Sequence, residues 1–229
     1  RAFPICVRER GLFEAMGSHQ ARHRGGTLTR EKFMLPEMRI VASLMLQDES
    51  RDEIIEHVVR DNLFQCSSAR SLGEKARDCV ARFDTLYAGD QANTDACDSI
   101  VRIIAKGMPD QAAQANLYIL MKRYDLVRTF MLEEIGGRLS CMDSSFTKAD
   151  LGAFLTRFQL EYPGAEKWSD ETIKRLKGVL ASCLAQTGFL ETANSETLQT
   201  VFLDYEVEQA IRDNGDVDFL FAFDGTTVV

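Results

Sequence analysis

WSDETIKRLKGVLASCLAQTGFLE, residues 168–191, runs straight on into TANSETLQTVFLD, residues 192–204. The first part has the punctuation of one long amphipathic helix. Ser169 is placed to cap it, Asp170 and Glu171 stand where the positive helix end favours acids, and Gly188 is the expected stop. Ile173, Leu176, Val179, Leu180, Cys183 and Leu184 recur at helical spacing and form a buried face. The run FLETANSETLQTVFLD then reads as two strand-like pieces about a polar loop at Asn194-Ser195, a two-stranded hairpin. Such a pair is either a recognition helix with its wing or a core helix packed beneath two strands.

The free face of this helix carries Lys174, Arg175, Lys177, Gly178 and Ser182. Cations near a helix N-terminus are disfavoured by the macrodipole, so another interaction has to favour them. A phosphate backbone is one candidate, with Gly178 permitting close approach. Pairing of Asp170 and Glu171 with Lys174 and Arg175 at spacing four is the other. Glu191 and Glu196 put carboxylates in the expected wing, which speaks against DNA contact there.

Around this stretch the C-terminal third, residues 143–229, reads as a winged-helix-like module. TKADLGAFLTRFQLEY, residues 147–162, is a helix with Leu151, Phe154, Leu155 and Phe158 inward, and PGAEK is the turn that ends it. A last helix is expected near residues 205–213, followed by DFLFAF, residues 218–223, as a final strand or apolar strap.

Upstream, residues 32–142 read as a helical bundle. Pro36 sits at a first helical position, and Met38, Val41, Leu44 and Met45 give helical spacing. Ser50 to Glu53, SRDE, is a capping box for a helix that buries Ile54, Ile55, Val58 and Val59. After DNLFQCSS, a longer helix starts from Ser67 or Ser68 and buries Leu72, Ala76, Cys79, Val80 and Phe83. Opposite that stripe the sequence offers Arg70, Lys75, Arg77 and Arg82, so two short helices, a polar turn and a basic third helix make a helix-turn-helix-like segment. Glu74 and Asp78 on the same face leave a solvated, ion-paired surface as the alternative. Asn93 or Thr94 caps a helix ending at Gly107, Pro109 opens the next, and Gly136-Gly137 is expected to break the run from Leu126 to Ile135. The expected fold class is mainly α, a helical bundle with a C-terminal winged-helix-like module carrying a small β-hairpin.

Residues 1–31 have little apolar periodicity and read as a flexible basic arm around HQARHRGG, with Arg22 and Arg24 as further DNA-binding candidates. The arm begins without Met, and Met16 offers an internal start. The net charge of −8 hides a gradient. Residues 1–34 carry seven Lys/Arg against three Asp/Glu, residues 35–142 carry 13 against 17, and residues 143–229 carry seven against 15. An acidic protein is not drawn to DNA by its overall field, so any such contact has to come from local basic patches.

The chemistry of an enzyme is missing from the pattern. There is no phosphate loop, nucleophile elbow, HExxH or kinase signature. Six cysteines never form a CxxC pair and the three histidines are not spaced to join them on a metal, so free thiols in a reducing cytoplasm are expected and no cofactor is called for. His57 lies beside an apolar helix stripe and reads as structural. No apolar run reaches the ~18 residues that span a bilayer, and no signal peptide is evident.

Four blocks carry a resemblance. KFMLPEMRIVASLML, residues 32–46, and DEIIEHVVRDNLFQCSSARSLGEKARDCVARFDTL, residues 52–86, precede WSDETIKRLKGVLASCLAQTGFLE and the closing LDYEVEQAIRDNGDVDFLFAF, residues 203–223. In this order the chain resembles BrxA, a small component of BREX bacteriophage-exclusion systems. The match runs from about residue 32 to residue 223. The resemblance implies a mostly helical protein with likeness to the NusB fold and to helix-turn-helix modules. It implies double-stranded DNA and the other BREX components as partners, and it supplies no catalytic residues. Two functions follow as expectations: a non-enzymatic DNA-binding component, or an assembly adaptor that docks another BREX protein through its acidic surface.

Overall fold

A computed structural model describes residues 25–88 and 92–225. Arg22 and Arg24, with most of the expected arm, lie outside the described residues. The chain is mainly helical. In order it forms α1 (Leu28–Glu31), α2 (Leu35–Met45), α3 (Arg51–Asp61), α4 (Ala69–Leu86), α5 (Thr94–Lys106), α6 (Pro109–Arg123) and α7 (Asp125–Thr129). A π-helical segment, Phe130–Gly136, leads into α8 (Gly137–Ser140). Then come α9 (Lys148–Glu161), α10 (Asp170–Gln186), α11 (Tyr205–Asp213) and α12 (Phe221–Asp224).

Local chemistry sets most of these boundaries. Ser50 and Glu53 form the reciprocal capping box on α3, Ser68 caps α4, and the Asn93 side chain accepts from the amides of Asp95 and Ala96 at the start of α5. Thr147 and Asp150 make a second box on α9, and Ser169 caps α10. Each satisfies amides that the first helical turn leaves without a partner.

α6 is the axis of the molecule. Every residue from Ala112 to Met121 is buried, including two polar ones. Each polar side chain is tied down: Asn116 donates to the Phe33 carbonyl at 2.8 Å, and Gln114 donates to the Phe202 carbonyl at 3.0 Å while accepting from the Asp204 amide at 2.9 Å. α2, α4, α5 and α11 pack around this axis, and α3 lies on α4. α9 and α10 pack on each other, with Phe130, Phe146, Phe154 and Phe158 as an aromatic seam on which Tyr162 and Trp168 stack. One apolar core runs through both sets of helices.

The hairpin is not there, and with it the winged-helix module loses its support. No sheet occurs among the described residues. Phe189, Leu190 and Leu198 are all buried in the core instead of alternating across a pleat. The loop between them closes through side chains, with the Thr192 amide donating to Ser195 Oγ at 3.1 Å and the Asn194 amide to Thr192 Oγ1 at 3.3 Å. Hydroxyls thus satisfy the backbone that a ladder would have used. The returning segment keeps one bond to the outgoing run, from Gln199 N–H to the Phe189 carbonyl at 2.9 Å, and otherwise meets the stretch before α9 through an isolated antiparallel bridge of Ser145 with Thr197. Phe146 N–H donates to the Glu196 carbonyl at 3.1 Å and Leu198 N–H to that of Ser144 at 2.7 Å.

Two further expectations change. DFLFAF is a 3-10 turn running into α12, with Phe219, Leu220, Ala222 and Phe223 buried, so it is neither strand nor extended strap. Gly136-Gly137 does not break the chain, which stays helical to Ser140. A Cβ on Gly136 would stand 2.5 Å from the Phe221 carbonyl oxygen, so the glycine is there to let α12 seat against the π-helical turn.

Candidate nucleic-acid interface

α4 does not present its four basic residues on one face. At about 100° per residue, Arg70 and Arg77 share one bearing and Lys75 and Arg82 another about 140° away. Arg70 is exposed and pairs with Glu74 at 3.1 Å, and Arg77 is exposed with its guanidinium over Gly73.

The second bearing of α4 meets the segment that leads into the bundle. Arg82 is fully buried, and its guanidinium donates to the carbonyls of Phe33 at 2.9 Å and Lys32 at 2.6 Å. Glu31, itself only 2% exposed, stands 3.9 Å from both Arg82 and Arg123 and accepts a hydrogen bond from the Tyr124 hydroxyl. Burial pushes the Arg82 pKa down, with Cys79 and Glu31 opposing that shift. Arg82 therefore cannot reach DNA; it roots the strap of residues 25–34 into α4 and α6. The strap's other side, α1, packs on α10, with Gly26 beneath the Trp168 indole.

Lys75 lies one and two turns from Asp78 and Arg82 at the strap's outer edge, where its ammonium meets Glu37 at 3.1 Å. Burial alone would lower its pKa, but the Glu37 carboxylate more than offsets that and raises it, so Lys75 is a fixed cation.

On α10 the basic residues separate in the same way. Arg175 points along the bearing of Gly178, Val179, Ser182 and Gln186, and pairs with Glu171 at 3.0 Å while remaining 64% exposed. Lys174 is exposed at the edge of that face. Lys177 turns away, its ammonium resting against Gly152 of α9.

The strap holds the two favourable bearings opposite each other. Between them lies a cleft of about 780 Å³, lined by Lys75 and Glu37 on one side, Arg175, Gly178 and Ser182 on the other, and Arg30 and Lys32 from the strap itself. Phe33, Met34 and Val179 make an apolar floor. Arg30 also reaches Asp78, at 3.7 Å. Four cations from three elements line the cleft of a chain of net charge −8, and three of them stand within 4 Å of a carboxylate, Lys75 of Glu37, Arg175 of Glu171 and Arg30 of Asp78.

Of the nine basic residues expected at a DNA site, the structure brings Lys75 and Arg175 together here. Arg70, Arg77 and Lys174 are exposed outside the cleft lining, Lys177 lies half-buried against α9, Arg82 is engaged inside the protein, and Arg22 and Arg24 are not described. Sequence reasoning missed Arg30 and Lys32. Four helical residues show no periodicity, and Lys32 reaches the cleft through a left-handed backbone, φ 49°, that no spacing announces.

Other chemistry has a structural explanation. His57 Nδ1 lies 2.9 Å from Glu49 and its Nε2 3.2 Å from Asp61. Among the described residues no group of three or more His, Cys, Asp or Glu is placed to hold a metal, and no helix is long and apolar enough to cross a membrane.

Known proteins are similar to this chain. The family model for BrxA matches residues 25–215. The BREX protein BrxA of Escherichia coli O9:H4 (strain HS) is 24% identical over 200 residues, covering 87% of this chain and 89% of the relative. The BREX protein BrxA of Bacillus cereus (strain H3081.97) is 25% identical over 191 residues, covering 83% and 90%. A crystal structure of an uncharacterized protein from Magnetospirillum magneticum superposes with a TM-score of 0.72 at 18% identity, over 90% of this chain and 100% of that one, which shows a shared fold.

Proposed function

The chain belongs to the BrxA family, and on that premise we propose that it serves a BREX phage-exclusion system in the cytoplasm as a non-enzymatic component that binds double-stranded DNA along the cleft between α4 and α10. The observation that carries this reading is the convergence of Arg30, Lys32, Lys75 and Arg175 on one cleft. Phosphate contacts position a protein on a duplex without reading bases, and cations held by a rigid scaffold suit that task. Lys174, exposed on α10 beside the Arg175 face, extends the footprint, whereas Arg70 and Arg77 point about 140° away from Lys75 and lie outside it.

The acidic remainder of the molecule sets the strength. Binding is modest and strongly salt-dependent. With about four phosphates neutralised, the slope of log K against log salt is about −3.6, so affinity falls roughly 150-fold between 50 and 200 mM salt. Fluorescence anisotropy with a labelled 20-base-pair duplex measures this. The double substitution Lys75→Gln with Arg175→Gln should weaken binding at 50 mM salt and flatten the slope by about 2. Absence of binding to any duplex at 50 mM salt, or an unchanged slope in the double variant, rejects the reading.

A further inference from the structure

α10 carries a glycine that packing does not explain. Gly178 stands midway along a 17-residue helix, where glycine costs more stability than any residue except proline. Other helical glycines make room for a neighbour: a Cβ on Gly152 of α9 would stand 2.9 Å from Lys177 Nζ, and one on Gly136 would strike Phe221 of α12. At Gly178 a Cβ would meet nothing within 4 Å. Its bare backbone lines the cleft, with Arg175 one turn before it and Ser182 one turn after. Ser182 Oγ accepts from Gln186 Nε2 at 3.0 Å, which leaves the hydroxyl proton to donate. A helix stripped of its side chain at one point, beside a cation and a hydroxyl, lets a flat group lie against the backbone.

The strap supplies the matching charge. Lys75, Arg175 and Arg30 each stand within 4 Å of a carboxylate, whereas Lys32 is in no ion pair among the described residues. Its backbone, at φ 49° and ψ −158°, lies where residues other than glycine rarely go, and Arg82 holds it there through the Lys32 carbonyl at 2.6 Å. An unpaired ammonium with a guanidinium on the same cleft suits a phosphate. The space of about 780 Å³ falls within the ~300–1,000 Å³ of sites that enclose small molecules, and Phe33, Met34 and Val179 floor it. A duplex keeps its base faces stacked and offers such a cleft only phosphates and sugars. An unpaired nucleotide offers phosphate and an open ring face together. We infer that the cleft encloses one nucleoside phosphate, with its phosphate at Lys32 and Arg175 and its base flat against α10 at Gly178, beside the Ser182 hydroxyl. This rests on the proposed reading of the cleft as the nucleic-acid site and names what enters it: an unpaired strand end, with a free nucleotide as the other source of the same chemistry.

Anisotropy with the full chain at 50 mM salt compares a labelled blunt 20-base-pair duplex with the same duplex carrying a two-adenine 5′ overhang. The overhang binds about fivefold more tightly or better, the gain expected from one stacked base. An overhang of two abasic sites keeps the phosphates and loses that gain. Gly178→Leu puts a side chain where the base lies and brings the ratio of overhang to blunt affinity to one. It melts no lower than the parent, because a Cβ there meets no atom and leucine favours a helix. Adenosine monophosphate, titrated alone to 1 mM, identifies the source: binding without an overhang gain assigns the cleft to free nucleotides, and an overhang gain assigns it to strand ends. Equal binding of overhang and blunt duplexes with no binding of the monophosphate overturns the inference and leaves duplex binding standing. An abasic overhang as good as adenine, or a gain that survives Gly178→Leu, overturns it too. Loss of binding to every duplex rejects the DNA reading instead, and the monophosphate then decides this inference alone.

Discussion

Replacing Arg82 separates architecture from DNA contact. Its side chain has no exposed surface, and it supplies two hydrogen bonds to the strap carbonyls and one of the cations beside Glu31. Arg82→Met keeps most of the volume and removes the charge. The Lys32 carbonyl then loses this donor, whereas the Phe33 carbonyl keeps Asn116 and Glu31 keeps Arg123 and Tyr124. Breaking a buried pair from one side costs about 3–5 kcal/mol, and the surviving partners place this case near the lower end, about 3 kcal/mol. At roughly 2–4 °C per kcal/mol for a chain of this size, melting falls by about 6–12 °C.

Thermal melting followed by circular dichroism measures the loss, with Arg77→Ala as the exposed control expected to stay within about 0.5 kcal/mol. Adding Glu31→Gln to Arg82→Met should cost less than the sum of the two single changes, because the second removes the charge that the first left short of a partner. If Arg82→Met melts with the parent and instead weakens duplex binding as Lys75→Gln does, Arg82 contacts DNA and the buried network described above is wrong.

Two other expectations follow from the packing. Burial pushes the Cys79 and Cys183 thiols up to about 12, so at pH 8 almost none is thiolate. Mass spectrometry after iodoacetamide should find the exposed Cys141 modified first and these two only on unfolding, and equal rates would refute their burial. Gly136→Ala should cost about 1–3 kcal/mol because its Cβ meets the Phe221 carbonyl, whereas Gly137→Ala, with no atom within 4 Å, should be neutral or stabilising. Urea denaturation of the pair checks both, and equal midpoints would refute the seating of α12.

The helices were legible because their ends are written in a few atoms. Ser50, Ser68, Asn93 and Ser169 each mark a first turn through a side-chain oxygen that can accept only from nearby amides, so a local pattern is enough. After α10 only α11, expected near residues 205–213 and found at Tyr205–Asp213, was legible, and the segments on either side of it were not, for the opposite reason. Phe189 and Leu190 look like a strand beginning, but whether an apolar pair enters a sheet or plugs a core depends on what packs on it, here Phe223 of α12, whose ring lies 6.1 Å from that of Phe189. DFLFAF has the same ambiguity, and Gly136, read as a breaker, is instead the notch that lets it become helical.

Charge was misread by a different route, and the correction narrows the function. A basic residue on a helix reads as surface, yet Arg82 spends its charge on a strap that passes over α4, which only tertiary structure reveals. The bearings along α4 and α10 were available from the sequence, and they divide each basic set in two: Lys75 from Arg70 and Arg77, Arg175 from Lys177. What the sequence lacked was the strap. Because Glu31 fixes residues 25–34 to α4 and α6 on one side while α1 rests on α10 on the other, the same segment that consumes Arg82 brings Lys75 and Arg175 to one cleft and adds Arg30 and Lys32 to it. The gathering of four cations about one cleft on an acidic protein is thus a consequence of how the strap is anchored. Loosening the anchor should scatter the cations without removing any of them.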